Sequence, residues 1–62
     1  MRYMGLDFGD KTIGIAISDA LGWTAQPKAV IRRRNLTDDF AILKEYIEKY
    51  DVQEIIVGLP IN

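Results

Sequence analysis

The stretch GLDFGDKTIGIAISD, residues 5–19, joins two apolar runs through a short polar turn. Apolar residues take every second position on both sides of that turn, at Met4, Leu6 and Phe8 and then at Ile13, Ile15 and Ile17. A period of two is typical of β-strands, and the β-branched residues favour them further. Because the segment GDK at 9–11 is a turn signal, the sequence predicts a β-hairpin formed by residues 2–8 and 12–18.

The segment AQPKAVIR, residues 25–32, predicts a third strand. Pro27 cannot donate a hydrogen bond to a neighbouring strand, so this strand should lie at an edge of the sheet. A helix should follow, with Asn35 or Thr37 as its N-cap and acids in its first turn. Its apolar stripe is predicted at Phe40, Leu43, Ile47 and Tyr50, and its polar face at Asp39, Glu45, Glu48 and Lys49.

The continuous apolar run EIIVGLP, residues 54–60, predicts a parallel strand that is covered on both faces and ends at Pro60. The order is then β-β-β-α-β, an α/β fold. The first three strands should be antiparallel, and the helix should return the chain so that the fourth strand runs parallel to the first. The predicted strand order is 3-2-1-4, which places Asp7 on a central strand.

Composition limits the classes of function that this chain can have. Its 62 residues allow one domain, 48% of them are hydrophobic, and there is neither histidine nor cysteine. The missing histidine excludes Ser-His-Asp and Cys-His catalysis and the usual zinc sites. A metal would need carboxylate and backbone oxygen ligands, which favours magnesium, manganese or calcium. No signal peptide or membrane-spanning run is visible, and we expect a cytoplasmic location without membrane contact.

Asp7 stands on a face of the hairpin that carries almost no side-chain bulk. Its neighbours there are predicted to be Gly5, Gly9, Gly14, Ala16 and Ser18. Small residues could let a helix pack closely, with Asp7 bonded to the turn, and spacing alone favours this structural interpretation. The alternative is a ligand site where glycines admit a metal or phosphate to the backbone. It gains support because Asp7 lies near the carboxyl end of its strand, where open α/β sheets hold ligands.

The segments YMGLDFGDKTIGIAISD and EIIVGLPIN together resemble the YqgF/RuvX family of ribonuclease-H-like proteins, along the whole chain. Members are described as Holliday-junction resolvases and as nucleases that mature the end of pre-16S ribosomal RNA. The resemblance implies that residues 1–62 are the N-terminal part of a single, truncated ribonuclease-H-like domain. Further catalytic acids would then lie beyond Asn62, and the isolated chain should be inactive.

The resemblance also implies roles for individual residues. Asp7 would be the first catalytic and metal-binding acid, and the reaction would be phosphodiester hydrolysis assisted by Mg²⁺ or Mn²⁺. Motif positions with structural roles would be Gly5, Gly9, Gly14, Gly58 and Pro60. Nucleic acid, a DNA junction or an rRNA precursor, would be the partner, and the candidate contacts are Lys11, Arg32, Arg33, Arg34 and Asn62.

Several alternatives remain open from the sequence. Actin-like and sugar-kinase domains begin with a similar hairpin that holds ATP, although they usually carry Ser, Thr or Asn where this chain has Asp10. A non-catalytic binding module with a structural Asp7 is a second rival. The run 32–34 could be a solvated loop rather than a phosphate contact, and Trp23 is predicted to cover the core. One helix covers one face of such a sheet, so we also expect the chain to self-associate.

Overall fold

The predicted hairpin and the parallel fourth strand are both present in the computed structural model, which describes residues 1–58. Its elements are β1 (Tyr3–Phe8), β2 (Thr12–Ser18), β3 (Ala25–Arg32), α1 (Leu36–Lys49) and β4 (Glu54–Val57). The strands within this range form one sheet in the order β3-β2-β1-β4. β1 is antiparallel to β2 and parallel to β4, so the predicted topology is confirmed.

The register of the hairpin separates an aliphatic face from a bare one. Leu6 lies opposite Ile15, while Asp7 lies opposite Gly14 and Gly5 opposite Ala16. The aliphatic residues form the core of the described chain together with one helix residue: Met4, Leu6, Ile13, Ile15, Ile17 and Leu43. Because α1 packs on the aliphatic face, no helix within residues 1–58 covers the Asp7 face of the sheet.

β3 is an edge strand of the described sheet, as Pro27 predicts. Ala16 pairs with Pro27 and Ile15 with Ala29, so Lys28 is the extra residue of a β-bulge. A bulge at this point accommodates a residue that has no N–H for the ladder.

Specific caps fix both ends of α1. Asn35 is the N-cap, and its side-chain oxygen accepts a hydrogen bond of 2.9 Å from the Asp38 N–H. At the other end Asp51 adopts a left-handed φ of 53°, and the Val52 N–H donates to the Ile47 carbonyl at 2.9 Å. This is the hydrogen-bond pattern of a Schellman motif, and it turns the chain towards β4.

The polar face of α1 was predicted wrongly at its first turn. Asp39 is only 5% exposed, whereas Phe40 is 59% exposed. Asp39 lies four residues before Leu43 and therefore on the same buried face. Its carboxylate can be buried there because it accepts a hydrogen bond from the Arg34 N–H at 3.1 Å.

Two further predictions about burial are not met. Trp23 does not cover the core; its side chain is 82% exposed, in the loop between β2 and β3. Ile55, Ile56 and Val57 of β4 are also exposed, so residues 1–58 do not cover this strand on both faces. Tyr46 and Tyr50 stack at a centroid distance of 6.2 Å on the rim of the core.

Ser18 and Asp19 close the end of the hairpin that is distant from Asp7. The buried Ser18 hydroxyl accepts a hydrogen bond from the Tyr3 N–H at 2.8 Å and donates to the Asp19 carbonyl at 2.9 Å. The Asp19 carboxylate accepts from the Trp23 N–H and from the Thr24 hydroxyl. These bonds order the loop that leads into β3.

Candidate active site at the end of the central strand

The Asp7 carboxylate lies on the bare face, next to the last residue of the central strand β1, and it is exposed. It borders an open cavity of about 380 Å³. Residues of β2, β3 and the turn form the other walls of this cavity. The other lining residues are Gly9, Thr12, Gly14, Pro27, Lys28, Ala29 and Val30. Because Gly14 lies directly opposite Asp7, the position of β2 that faces the carboxylate carries no side chain. A ligand can therefore approach Asp7 from solvent.

The turn after Asp7 is held by groups other than the Asp7 side chain. The Gly9 N–H donates to the Thr12 carbonyl at 2.8 Å. Arg33, which follows β3, makes two further bonds to the turn. Its guanidinium donates to the Gly9 carbonyl at 2.8 Å, and its N–H donates to the Lys11 carbonyl at 2.8 Å. These bonds therefore do not favour the structural interpretation, in which the Asp7 side chain holds the turn.

β4 brings Gly58 of the segment EIIVGLPIN to the same edge of the sheet. The Gly58 N–H donates to the Leu6 carbonyl at 2.8 Å, one residue before Asp7. Gly58 has a φ of +86°, a conformation that favours glycine, while a Cβ at this position would meet open space. The predicted site residues Pro60 and Asn62 lie outside the described residues.

The basic candidates do not share one surface. Lys11 is exposed in the turn, and Arg33 is bonded to that turn. Arg32 and Arg34 instead line a separate cavity of about 550 Å³ beside the start of α1, together with Asp38. A nucleic-acid contact through these cations stays a prediction. The cations lie in two separate places, the turn after β1 and the cavity beside the start of α1.

The metal-binding role of Asp7 stays a prediction. Within residues 1–58, no group of three or more acidic, histidine or cysteine side chains is placed to hold a metal ion. An exposed carboxylate beside glycines suits one ligand position of a hard cation such as Mg²⁺, which prefers oxygen. The remaining protein ligands would have to come from elsewhere.

The other acids of the hairpin do not substitute for such ligands. Asp10 is exposed in the turn. Asp19 lies at the opposite end, where hydrogen bonds from the Trp23 N–H first, and then from the Thr24 hydroxyl, hold the pKa of its carboxyl below its usual value of 3.8. The Asp19 carboxylate therefore already accepts hydrogen bonds from the loop that it orders.

Two contacts of the hairpin, one beside the site and one at its opposite end, could not be found from sequence patterns. The bond from Arg33 to Gly9 joins residues 24 positions apart, and the bond from Tyr3 to Ser18 joins residues 15 apart. Periodicity identifies the face of a strand but not the partner of a particular polar atom. The sequence marks Arg33 as one cation of a basic run. Only the structure shows that its guanidinium contacts the Gly9 carbonyl.

These features define an α/β protein of ribonuclease-H-like topology, with an exposed acid near the carboxyl end of its central strand. The chain belongs to the RuvX family: the family model, described as "Holliday junction resolvase", matches residues 1–62. In the part of the chain that the structure describes, no helix is long and apolar enough to cross a membrane.

Curated relatives carry a related description. The chain is 63% identical to a protein of Moorella thermoacetica and 56% identical to one of Heliobacterium modesticaldum, both named "Putative pre-16S rRNA nuclease". Each match covers 100% of this chain, but only 44% and 42% of the respective relative. The chain thus spans less than half the length of the curated relatives that it matches.

Proposed function

We propose that the protein carrying this chain is a metal-dependent nuclease that cuts structured nucleic acid. The names of its relatives favour the immature end of pre-16S rRNA as the substrate, and the family description makes a four-way DNA junction the second candidate. The observation that carries the proposal is the exposed carboxylate of Asp7 on a concave, glycine-lined surface at the end of the central strand. With a ribosomal RNA precursor as the proposed substrate, we also propose a cytoplasmic location.

In this proposal Asp7 supplies a carboxylate oxygen to Mg²⁺ or Mn²⁺. When bound, such an ion activates a water molecule for attack on the phosphodiester and stabilises the leaving oxygen. Gly14, opposite Asp7, has no side chain to obstruct a sugar-phosphate backbone that approaches the carboxylate. Lys11 at the turn, with Arg32 and Arg34 beside α1, would add sequence-independent, salt-dependent affinity for phosphates.

We further propose that the 62-residue chain alone does not cleave nucleic acid. A two-metal site is held by several carboxylates, and residues 1–58 place no second and third acid beside Asp7. Mg²⁺-dependent cleavage by the isolated chain that disappears in Asp7→Ala would overturn this part of the proposal.

The test uses the complete protein with Asp7→Asn, and Asp10→Asn as the matched control. Both variants remove one exposed negative charge from the same hairpin. Cleavage of a pre-16S rRNA fragment and of a four-way DNA junction is measured with Mg²⁺, with Mn²⁺ and with EDTA. We expect Asp7→Asn and EDTA to abolish cleavage while Asp10→Asn retains it. Equal activity of Asp7→Asn and the wild-type protein, or full activity in EDTA, would refute the proposal.

The isolated chain is also expected to self-associate with a second copy of itself. A groove of about 570 Å³ between α1, β1 and β4 has an apolar surface, and Phe40 and Val57 on its walls are 59% and 67% exposed. Exposed apolar surface of this kind favours association between copies of a protein. Sedimentation of the 62-residue chain over a concentration series tests this, and a monomer at the highest concentration would contradict it.

A further inference from the structure

We propose that Arg33 is a positioning residue for Asp7: its side chain fixes the end of β1 and thereby the place of the carboxylate. This inference rests on the proposed function, since it assigns Arg33 to the same site. It differs from the expectation that Arg33 contacts nucleic acid, because it gives the guanidinium a partner within the protein.

Three contacts connect Arg33 to the residues that follow Asp7. Its Nη1 atom donates to the Gly9 carbonyl at 2.8 Å, and its Cζ atom lies 5.7 Å from the centroid of the Phe8 ring. Its own N–H donates to the Lys11 carbonyl at 2.8 Å. One residue therefore holds the last residue of β1 and both ends of the turn.

Within residues 1–58, the end of β1 is paired on one side only, so a contact from outside the sheet ladder adds to what holds it. Parallel pairing with β4 reaches Leu6, opposite Val57, and closes with the bond from the Gly58 N–H to the Leu6 carbonyl. Among the described residues, Asp7 and Phe8 then have strand partners only in β2. Gly9, which follows them, has more conformational freedom than any other residue type. A hydrogen bond to its carbonyl restricts the backbone two residues from Asp7.

The two contacts of the side chain require the geometry of arginine. A planar guanidinium can stack on an aromatic ring and donate a hydrogen bond in its plane at the same time, whereas an ammonium is a compact point charge. Phe8 is 42% exposed, so its ring is available on the surface for this stacking. Arg32 and Arg34 carry the same charge but line the separate cavity at α1, which makes them matched comparisons.

The experiment compares Arg33→Ala and Arg33→Lys with Arg32→Ala and Arg34→Ala in the complete protein. We expect Arg33→Ala to lower kcat by about tenfold to a hundredfold, as for a displaced catalytic group, with KM and the salt dependence of binding nearly unchanged. Arg33→Lys should resemble Arg33→Ala rather than the wild type, because charge alone does not restore the stacking. Arg32→Ala and Arg34→Ala should instead raise KM and reduce the salt slope, as expected for lost phosphate contacts.

A second measurement needs neither substrate nor metal. Hydrogen exchange at the Gly9 and Arg33 amides should become about fivefold faster in Arg33→Ala, the effect of losing one typical hydrogen bond. The NMR order parameter of the Asp7 amide should fall in the same variant. Unchanged exchange and order parameters, or an Arg33→Ala variant with normal kcat and a raised KM, would overturn the inference.

These results also separate this inference from the proposed function. If the wild-type protein cleaves neither the RNA nor the junction, the proposed function fails, and the NMR measurements alone decide whether Arg33 positions Asp7. If the wild-type protein is active and Arg33→Ala has a normal kcat, the function stands and the role of Arg33 fails.

Discussion

Ser18→Ala should be one of the most damaging single-atom changes in the hairpin. The hydroxyl is 3% exposed, accepts from the Tyr3 N–H at 2.8 Å and donates to the Asp19 carbonyl at 2.9 Å. The side chain thereby supplies an acceptor for the first residue of β1 and joins the start of that strand to the end of β2. Alanine leaves the Tyr3 N–H without this acceptor in a partly buried place.

The expected cost follows from these two bonds. Leaving a buried donor without a partner costs about 1–3 kcal/mol, and a typical intact hydrogen bond contributes about 1 kcal/mol. We therefore expect Ser18→Ala to lower the free energy of unfolding by about 2 kcal/mol. Ser18→Cys keeps the branching of the side chain with a somewhat larger atom that is a weak acceptor, so it should cost about as much as Ser18→Ala. Thr24→Val removes an exposed hydroxyl of the same loop and should change stability by less than about 0.5 kcal/mol.

Urea unfolding of the complete protein, followed by fluorescence, measures these differences at constant m-value. Hydrogen exchange at the Tyr3 amide should become faster in Ser18→Ala and stay normal in Thr24→Val. The reasoning fails if Ser18→Ala costs no more than Thr24→Val. It also fails if Ser18→Cys is as stable as the wild type, since packing rather than hydrogen bonding would then explain the buried serine.

Three further substitutions test other parts of the chain. Hydrogen bonds, chiefly from the Trp23 N–H, lower the pKa of folded Asp19 below 3.8, so its stabilisation is present above that pH and is lost as the pH falls through the folded pKa. Asp19→Asn should therefore make the acid-side loss of stability shallower in unfolding measurements below about pH 4. Asn35→Ala removes the N-cap bond to Asp38 and should cost about 1 kcal/mol in urea unfolding, whereas Asn35→Ser should retain most of the stability. Gly58→Ala places alanine at a φ of +86° and should cost about 1–2 kcal/mol from backbone strain alone, because space for the Cβ is free; a cost near zero would contradict this.

The fold was largely predictable because its information is local. Alternation over residues 4–8 and 13–17 identifies both strands of the hairpin and the face of each residue, and the register Asp7–Gly14 follows from the short turn. Pro27 identifies an edge strand for a covalent reason, since it has no N–H. The helix between β3 and β4 makes a parallel return the expected connection, and β4 is indeed parallel to β1.

The errors have a common physical origin in side chains with two possible environments. Asp39 was predicted on the polar face of α1, but the N–H of Arg34, which precedes the N-cap, donates to its carboxylate and lets it be buried. Trp23 was predicted to cover the core because it has no aromatic partner close in sequence. It follows Gly22, whose φ of +75° turns the loop, and it is 82% exposed. Residue type alone does not choose between such environments.

The same distinction explains what the sequence could indicate about the site. Asp7 shares a face with small residues because side chains of a strand alternate between its two faces, so the sequence alone predicts the bare surface. The support beneath it depends on where β3 ends: Arg33 follows the last residue of β3, and the pairing of Thr12 with Arg32 places it beside the turn. A shift of that register by one residue would move the Arg33 guanidinium away from Gly9. Arg32 or Arg34 would then occupy the position beside Gly9. The basic run therefore contains one position that is determined by sheet register, and this register, more than the charge of the run, gives Arg33 its place next to Asp7.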